Sequence, residues 1–123
     1  LNPIISEIKD KRVVIIDDSI VRGTTSKRLV KILKDAGVKE IHFRSVSPPI
    51  IAPCFLGIDT PKKDDLIAAN MSVEELKDYL GVDSLEFLSI DNLKVILGSS
   101  DHCFGCFTEK YPVSKPKETH LFD

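Results

Sequence analysis

Four consecutive β-favouring residues, Val13-Val14-Ile15-Ile16, run directly into two carboxylates, Asp17 and Asp18, and then into Ser19-Ile20-Val21-Arg22-Gly23-Thr24-Thr25. An uninterrupted apolar run of this kind predicts a strand, Arg12 to Ile16, covered on both faces within a parallel sheet. The carboxylates then fall at its carboxyl end, where open α/β sheets bind ligands. From Thr24 the apolar residues Leu29, Val30, Ile32, Leu33 and Ala36 recur at helical spacing, and Gly37 supplies a left-handed stop. The first-turn amides of that helix have no intrahelical acceptor. With the Thr24 and Thr25 hydroxyls beside them, they form a ready phosphate cradle at the same crevice.

Two acids next to a phosphate would repel it unless they meet a different part of the ligand. Ionised carboxylates only accept hydrogen bonds, so their natural partners are vicinal ribose hydroxyls or a hard divalent cation such as Mg2+. The string from Asp17 to Thr25 therefore points to a phosphorylated ribose. A plain alternative is a solvated strand-to-helix turn, with an aspartate as cap and Gly23 relieving the backbone. That alternative leaves the combination of paired acids, glycine and hydroxyls without a purpose.

Beyond the first helix a second strand is expected over Ile41 to Val46. Strand, helix and strand of this length predict a right-handed crossover between parallel neighbours. The fold class is accordingly α/β: part of a parallel sheet followed by short carboxyl-terminal helices. Ser47-Pro48-Pro49 forces an extended exit. Thr60-Pro61 reads as a helix cap with a first-turn proline. Ser72-Val73-Glu74-Glu75 is a capping box for a helix through Leu76 and Leu80 that stops at Gly81. A brief strand is expected over Leu85 to Leu88, then a helix started by Ser89 or Asp91 and closed by Gly98. Leu1 to Asp10 reads as a connector and the chain from Ser99 as loop. Three units are expected: a core over 1–56, a helical segment with cysteines over 57–113, and a flexible tail over 114–123.

The 123 residues are 42% hydrophobic and 29% charged, which suits one ordinary domain. A net charge of -2 without a basic stripe argues against nucleic acid as a partner. Lys27, Arg28, Lys31 and Lys34 read as the solvated face of the first helix. No apolar run approaches the ~20 residues needed to span a bilayer and no signal pattern leads the chain, so a cytoplasmic location is expected. The three cysteines, Cys54, Cys103 and Cys106, are an odd number, which speaks against a closed disulfide framework. The two-residue spacing of Cys103 and Cys106 suits a zinc half-site, a cluster or a redox couple, and buried unligated thiols are the bland reading. His42, His102 and His120 read as bystanders.

The strand, acids and hydroxyl loop resemble the phosphoribosyl-pyrophosphate (PRPP) motif of the type I phosphoribosyltransferases. Asp-Asp-Ser-Ile-Val-Arg-Gly-Thr-Thr-Ser at 17 to 26, Ser-Pro-Pro-Ile at 47 to 50, Pro-Cys-Phe-Leu-Gly-Ile-Asp-Thr at 53 to 60 and Cys-Phe-Gly-Cys-Phe-Thr-Glu-Lys-Tyr-Pro at 103 to 112 resemble, more narrowly, the amidophosphoribosyltransferase family. The likeness spans roughly residues 1 to 113. It implies a fragment of a pentosyltransferase that moves glutamine-derived ammonia onto PRPP in the first committed step of purine biosynthesis. Asp17, Asp18, Ser19, Arg22, Gly23, Thr24 and Thr25 would bind PRPP, with Asp17 and Asp18 also placing Mg2+. No catalytic residue beyond these is assigned. In iron–sulfur members Cys54, Cys103 and Cys106 would hold a [4Fe-4S] cluster, the fourth cysteine lying upstream. The family further implies purine nucleotide inhibitors, a homo-oligomer when intact, and an upstream pyrophosphate loop and glutaminase domain, so the 123 residues alone are expected to be inactive. A competing reading is a non-catalytic PRPP-sensing module.

Overall fold

The computed structural model describes residues 4–114. The expected tail, apart from Ser114, lies outside the described residues, as does His120.

Three strands, β1 (Arg12–Asp17), β2 (Glu40–Ser45) and β3 (Ser84–Phe87), form one parallel sheet in the order β1-β2-β3. Helix α2 (Thr24–Asp35) joins β1 to β2, and α4 (Val73–Leu80) precedes β3. Side chains alternate along a strand, and the register places Ile15, Phe43 and Leu85 in one row with Val13 and Ile41 beside them. That row meets Val30 and Leu33 of α2 and Leu76 and Leu80 of α4, each one helical turn from its partner on the same face. Phe43, with no exposed surface, sits at the centre. The core is thus a single layer of apolar contact between one sheet face and two helices.

The opposite sheet face departs from expectation. Val14 is 58% and Ile16 72% exposed, so the described residues cover β1 on one face only. Helices α2 and α4 lie against the other face, and an apolar run does not encode where its second cover comes from. The same open face carries a polar lattice. His42 Nδ1 lies 2.7 Å from Ser84 Oγ and its Nε2 3.0 Å from Glu40 Oε2, while Arg44 donates to Ser84 Oγ at 2.9 Å and pairs with Glu86 at 3.3 Å. His42 is therefore a sheet-face residue with partners of its own.

Local signals read well at the helix ends. Glu75 N–H donates to Ser72 Oγ and Ser72 N–H to Glu75 Oε2, completing the capping box, and Ser89 Oγ accepts from Asn92 N–H to open α5 (Ile90–Leu97). Gly37 takes φ +85° after α2. Three short elements escaped the sequence reading: α1 (Ile5–Ile8), α3 (Ile67–Asn70) and α6 (Gly105–Thr108). One-turn helices carry too few residues for a periodic pattern. Thr60 is not a helix cap. Its hydroxyl instead accepts from Cys54 N–H at 2.7 Å, closing the 54–60 loop, and the next helical turn is a 3-10 turn at Lys63–Asp65.

Candidate functional site

The string from Asp17 to Thr25 folds around one cleft at the carboxyl end of β1. Asp17, Asp18, Ser19, Val21, Arg22, Gly23, Thr24, Thr25, Ser26 and Pro61 line about 370 Å³, a volume within the range of small-ligand sites. Asp17 ends the strand, and its main-chain oxygen accepts from Val46 N–H at 2.9 Å, which ties the acid to the tip of β2. Asp17 Oδ1 accepts the Asp18 N–H at 2.9 Å, so the two acids share a tight local turn. Ile20, 1% exposed, plunges into the core and pins the loop between the acids and the helix.

Gly23 caps α2 with φ +80°, and having no side chain it offers no cap to the helix. The amides of Thr24, Thr25 and Ser26, which lack acceptors one turn back, are left for a ligand at the positive end of the helix. Among the described residues no ion pair involves Asp17, Asp18 or Arg22. The cleft therefore brings together two carboxylates without an ion-pair partner among the described residues and a guanidinium, amides and hydroxyls. Chemically this suits a ligand that is anionic at one end and a hydrogen-bond donor or cation at the other.

Ser26, buried at 3% exposure, Val21 and Pro61 belong to the cleft lining and were not singled out from sequence. For Ser26 the signal was the unbroken hydroxyl string. For Pro61 no local signal existed, because it enters from a segment remote in sequence.

The cysteines gather at a second cavity. Cys54, Cys103 and Cys106 line about 480 Å³ together with Ile50, Leu56, Ile58, Phe107 and Tyr111. Cys106 lies in α6 and not in a plain loop. Burial pushes its thiol up, and charge on Cys54 and Cys103 acts in the same direction against a lowering backbone hydrogen bond. Among the described residues no three Cys, His, Asp or Glu side chains converge tightly enough for a single metal ion. Three soft donors thus line one largely apolar cavity. Ser19 lines both this cavity and the cleft beside Asp17 and Asp18, so the two share a wall.

No protein-family model matches the chain. The chain is 50% identical over 123 residues to the chloroplastic amidophosphoribosyltransferase of Glycine max, covering 98% of this chain and 21% of that protein. Among solved structures, the glutamine PRPP amidotransferase of B. subtilis complexed with ADP and GMP superposes with a TM-score of 0.87 at 45% identity. The structure of the allosteric regulatory enzyme of purine biosynthesis gives 0.86 at 45% identity over 96% of this chain. The chain belongs to the amidophosphoribosyltransferase family. Within that family it spans about a fifth of the length of the Glycine max relative, 21%, and 28% of the B. subtilis chain. The amidophosphoribosyltransferase relationship covers both the cleft and the cysteine cavity, since the match runs almost end to end.

Proposed function

We propose that this stretch forms the PRPP-holding part of an amidophosphoribosyltransferase, a pentosyltransferase that converts PRPP and glutamine to 5-phosphoribosylamine, pyrophosphate and glutamate. The observation that carries the reading is the single cleft uniting unneutralised Asp17 and Asp18 with the free first-turn amides of α2, in a chain of this family. Ammonia released from glutamine attacks the anomeric carbon, the bond from that carbon to pyrophosphate breaks with its electron pair, and the nitrogen sheds a proton. Positive charge grows on the ribose ring as pyrophosphate leaves. Asp17 and Asp18, accepting from the ring hydroxyls, stabilise that charge. The amides and hydroxyls of Thr24 and Thr25, with Ser19, Arg22 and the open backbone of Gly23, hold the 5'-phosphate.

Asp17 and Asp18 would also hold Mg2+, which when bound neutralises the leaving pyrophosphate. Cys54, Cys103 and Cys106 would give three thiolates to a [4Fe-4S] cluster, with a fourth ligand from elsewhere in the polypeptide, and such a cluster would add to folding stability as a structural metal does. The reading extends to purine nucleotides as inhibitors, in line with the ADP and GMP of the B. subtilis complex, and to a homo-oligomeric, cytoplasmic enzyme. Among the described residues no helix is long and apolar enough to cross a membrane. Cell fractionation distinguishes the cytoplasm from the chloroplast that the Glycine max name records.

The test is the Asp17→Asn/Asp18→Asn double variant of the intact enzyme, with both half-reactions assayed. Phosphoribosylamine formation should fall by at least about a hundredfold, the scale of removing a transition-state charge partner, while glutamine hydrolysis suffers less. Unchanged phosphoribosylamine formation would remove these residues from the site.

A further inference from the structure

The phosphate loop is anchored from within at buried Ile20 and at the Gly23 carbonyl, which accepts from Lys27 N–H at 2.9 Å, but its ligand-facing residues are open. Arg22, Thr24 and Thr25 are exposed, and Gly23 sits in a left-handed conformation without a capping side chain. What stands beneath it comes from a distant segment. Ile67 opens α3, and its N–H donates to the Val21 carbonyl at 2.9 Å. Its side chain fills the space that a Cβ on Gly23 would need: Ile67 Cδ1 lies 2.7 Å from that position, with Tyr79 Cε1 3.5 Å away. Ile67 thus grips the loop twice, by its backbone at Val21 and by its methyl under Gly23.

Ile67 is itself fixed. The preceding Leu66 is fully buried, and Asn70 Nδ2 donates to the carbonyls of Lys63, Asp64 and Leu66 at 3.2, 3.1 and 2.8 Å. These bonds tie the turn that delivers Ile67, so its backbone cannot move away from the loop without breaking them.

We infer that Ile67, set by Asn70, is a positioning residue for the 5'-phosphate cradle, holding the amides of α2 in their anion-binding geometry before ligand arrives. The inference rests on the proposed PRPP reading and adds the 63–70 segment to that site. Amides pre-aimed at an anion bind without a further ordering cost, whereas a loosened loop must be ordered by the ligand itself. Because the 5'-phosphate lies away from the breaking bond, such loosening weakens binding of substrate and transition state alike. It raises KM and leaves kcat in place.

In the intact enzyme, Ile67→Val deletes only the Cδ1 that lies under Gly23. KM for PRPP with Mg2+ and the Kd of ribose 5-phosphate should each rise about two- to tenfold, the affinity equivalent of one buried methyl group, with kcat within twofold. Asn70→Ala should move the same two constants in the same direction. Gly23→Ala should weaken ribose 5-phosphate binding through both its positive φ and the clash, and in an Ile67→Val background the clash is relieved, so the loss there should be smaller by threefold or more. Lower thermal stability with unchanged KM and Kd in both Ile67→Val and Asn70→Ala would make Ile67 an ordinary core residue and overturn the inference, as would strict additivity of Gly23→Ala and Ile67→Val. Failure of the underlying reading looks different: PRPP turnover would survive Asp17→Asn/Asp18→Asn, whatever the Ile67 variants do.

Discussion

Gly105 is where one added methyl group should do the most damage at the cysteine cavity. A Cβ there would press on the Tyr111 ring, lying 2.6 Å from Cε1 and closer still to Cδ1. Carbon atoms rest at about 3.5–4 Å, so the ring must withdraw by roughly 1 Å. It has little freedom to do so. Tyr111 Oη donates to the Pro53 carbonyl at 2.6 Å, and its ring packs on Phe55 with centroids 4.4 Å apart. Overpacking costs about 1–3 kcal/mol and the hydrogen bond about another 1 kcal/mol, giving about 2–4 kcal/mol for Gly105→Ala. Gly98→Ala is the matched control: φ is +70° but nothing lies within 4 Å of its Cβ position, so only backbone strain of about 1–2 kcal/mol applies. Both variants of the intact enzyme are compared by urea denaturation and, with any cluster removed beforehand, by the labelling rate of Cys106 with a thiol reagent under native conditions. Gly105→Ala should lose more stability and label faster, because the displaced ring opens the cavity that Cys106 lines. Equal stability losses together with unchanged labelling would refute the packing argument.

Phe43→Ala should cost about 3–5 kcal/mol in denaturant titrations, since the ring is fully buried among both helices and the neighbouring strands. Ser72→Ala removes one half of the capping box and should cost about 1 kcal/mol, with Ser72→Gly closer to neutral. Serine at Cys54, Cys103 or Cys106 should each leave an anaerobically purified intact enzyme colourless and short of the about four irons per chain of a cubane cluster. Full iron content and colour in any of these variants would exclude that cysteine as a ligand.

Local chemistry was readable wherever the deciding atoms are near neighbours in sequence. The run Val13 to Ile16 ending in Asp17 marked β1, the spacing from Leu29 to Ala36 marked α2, and Ser72 with Glu75 marked α4, because each signal lies within a turn or a strand. The grouping of Asp17 to Thr25 around one cleft follows from the same cause: strand end, turn and helix start are contiguous, so their geometry is set by short-range backbone rules. Contacts across the chain were not readable. Thr60 and Pro61 look like a helix start, yet Thr60 closes the 54–60 loop onto Cys54 and Pro61 reaches the remote cleft, since partners outside the next helical turn outweigh a weak local preference. Ile67 beneath Gly23, and Tyr111 across Gly105 onto Pro53, depend on how far apart two segments finish after packing. Sequence by itself determined which residues could make a strand, a cap or an anion cradle. Only the tertiary structure decided which face of β1 the helices of this stretch cover, burying Ile15 and leaving Val14 and Ile16 uncovered among the described residues, because burial belongs to the neighbour that arrives and not to the residue that waits for it.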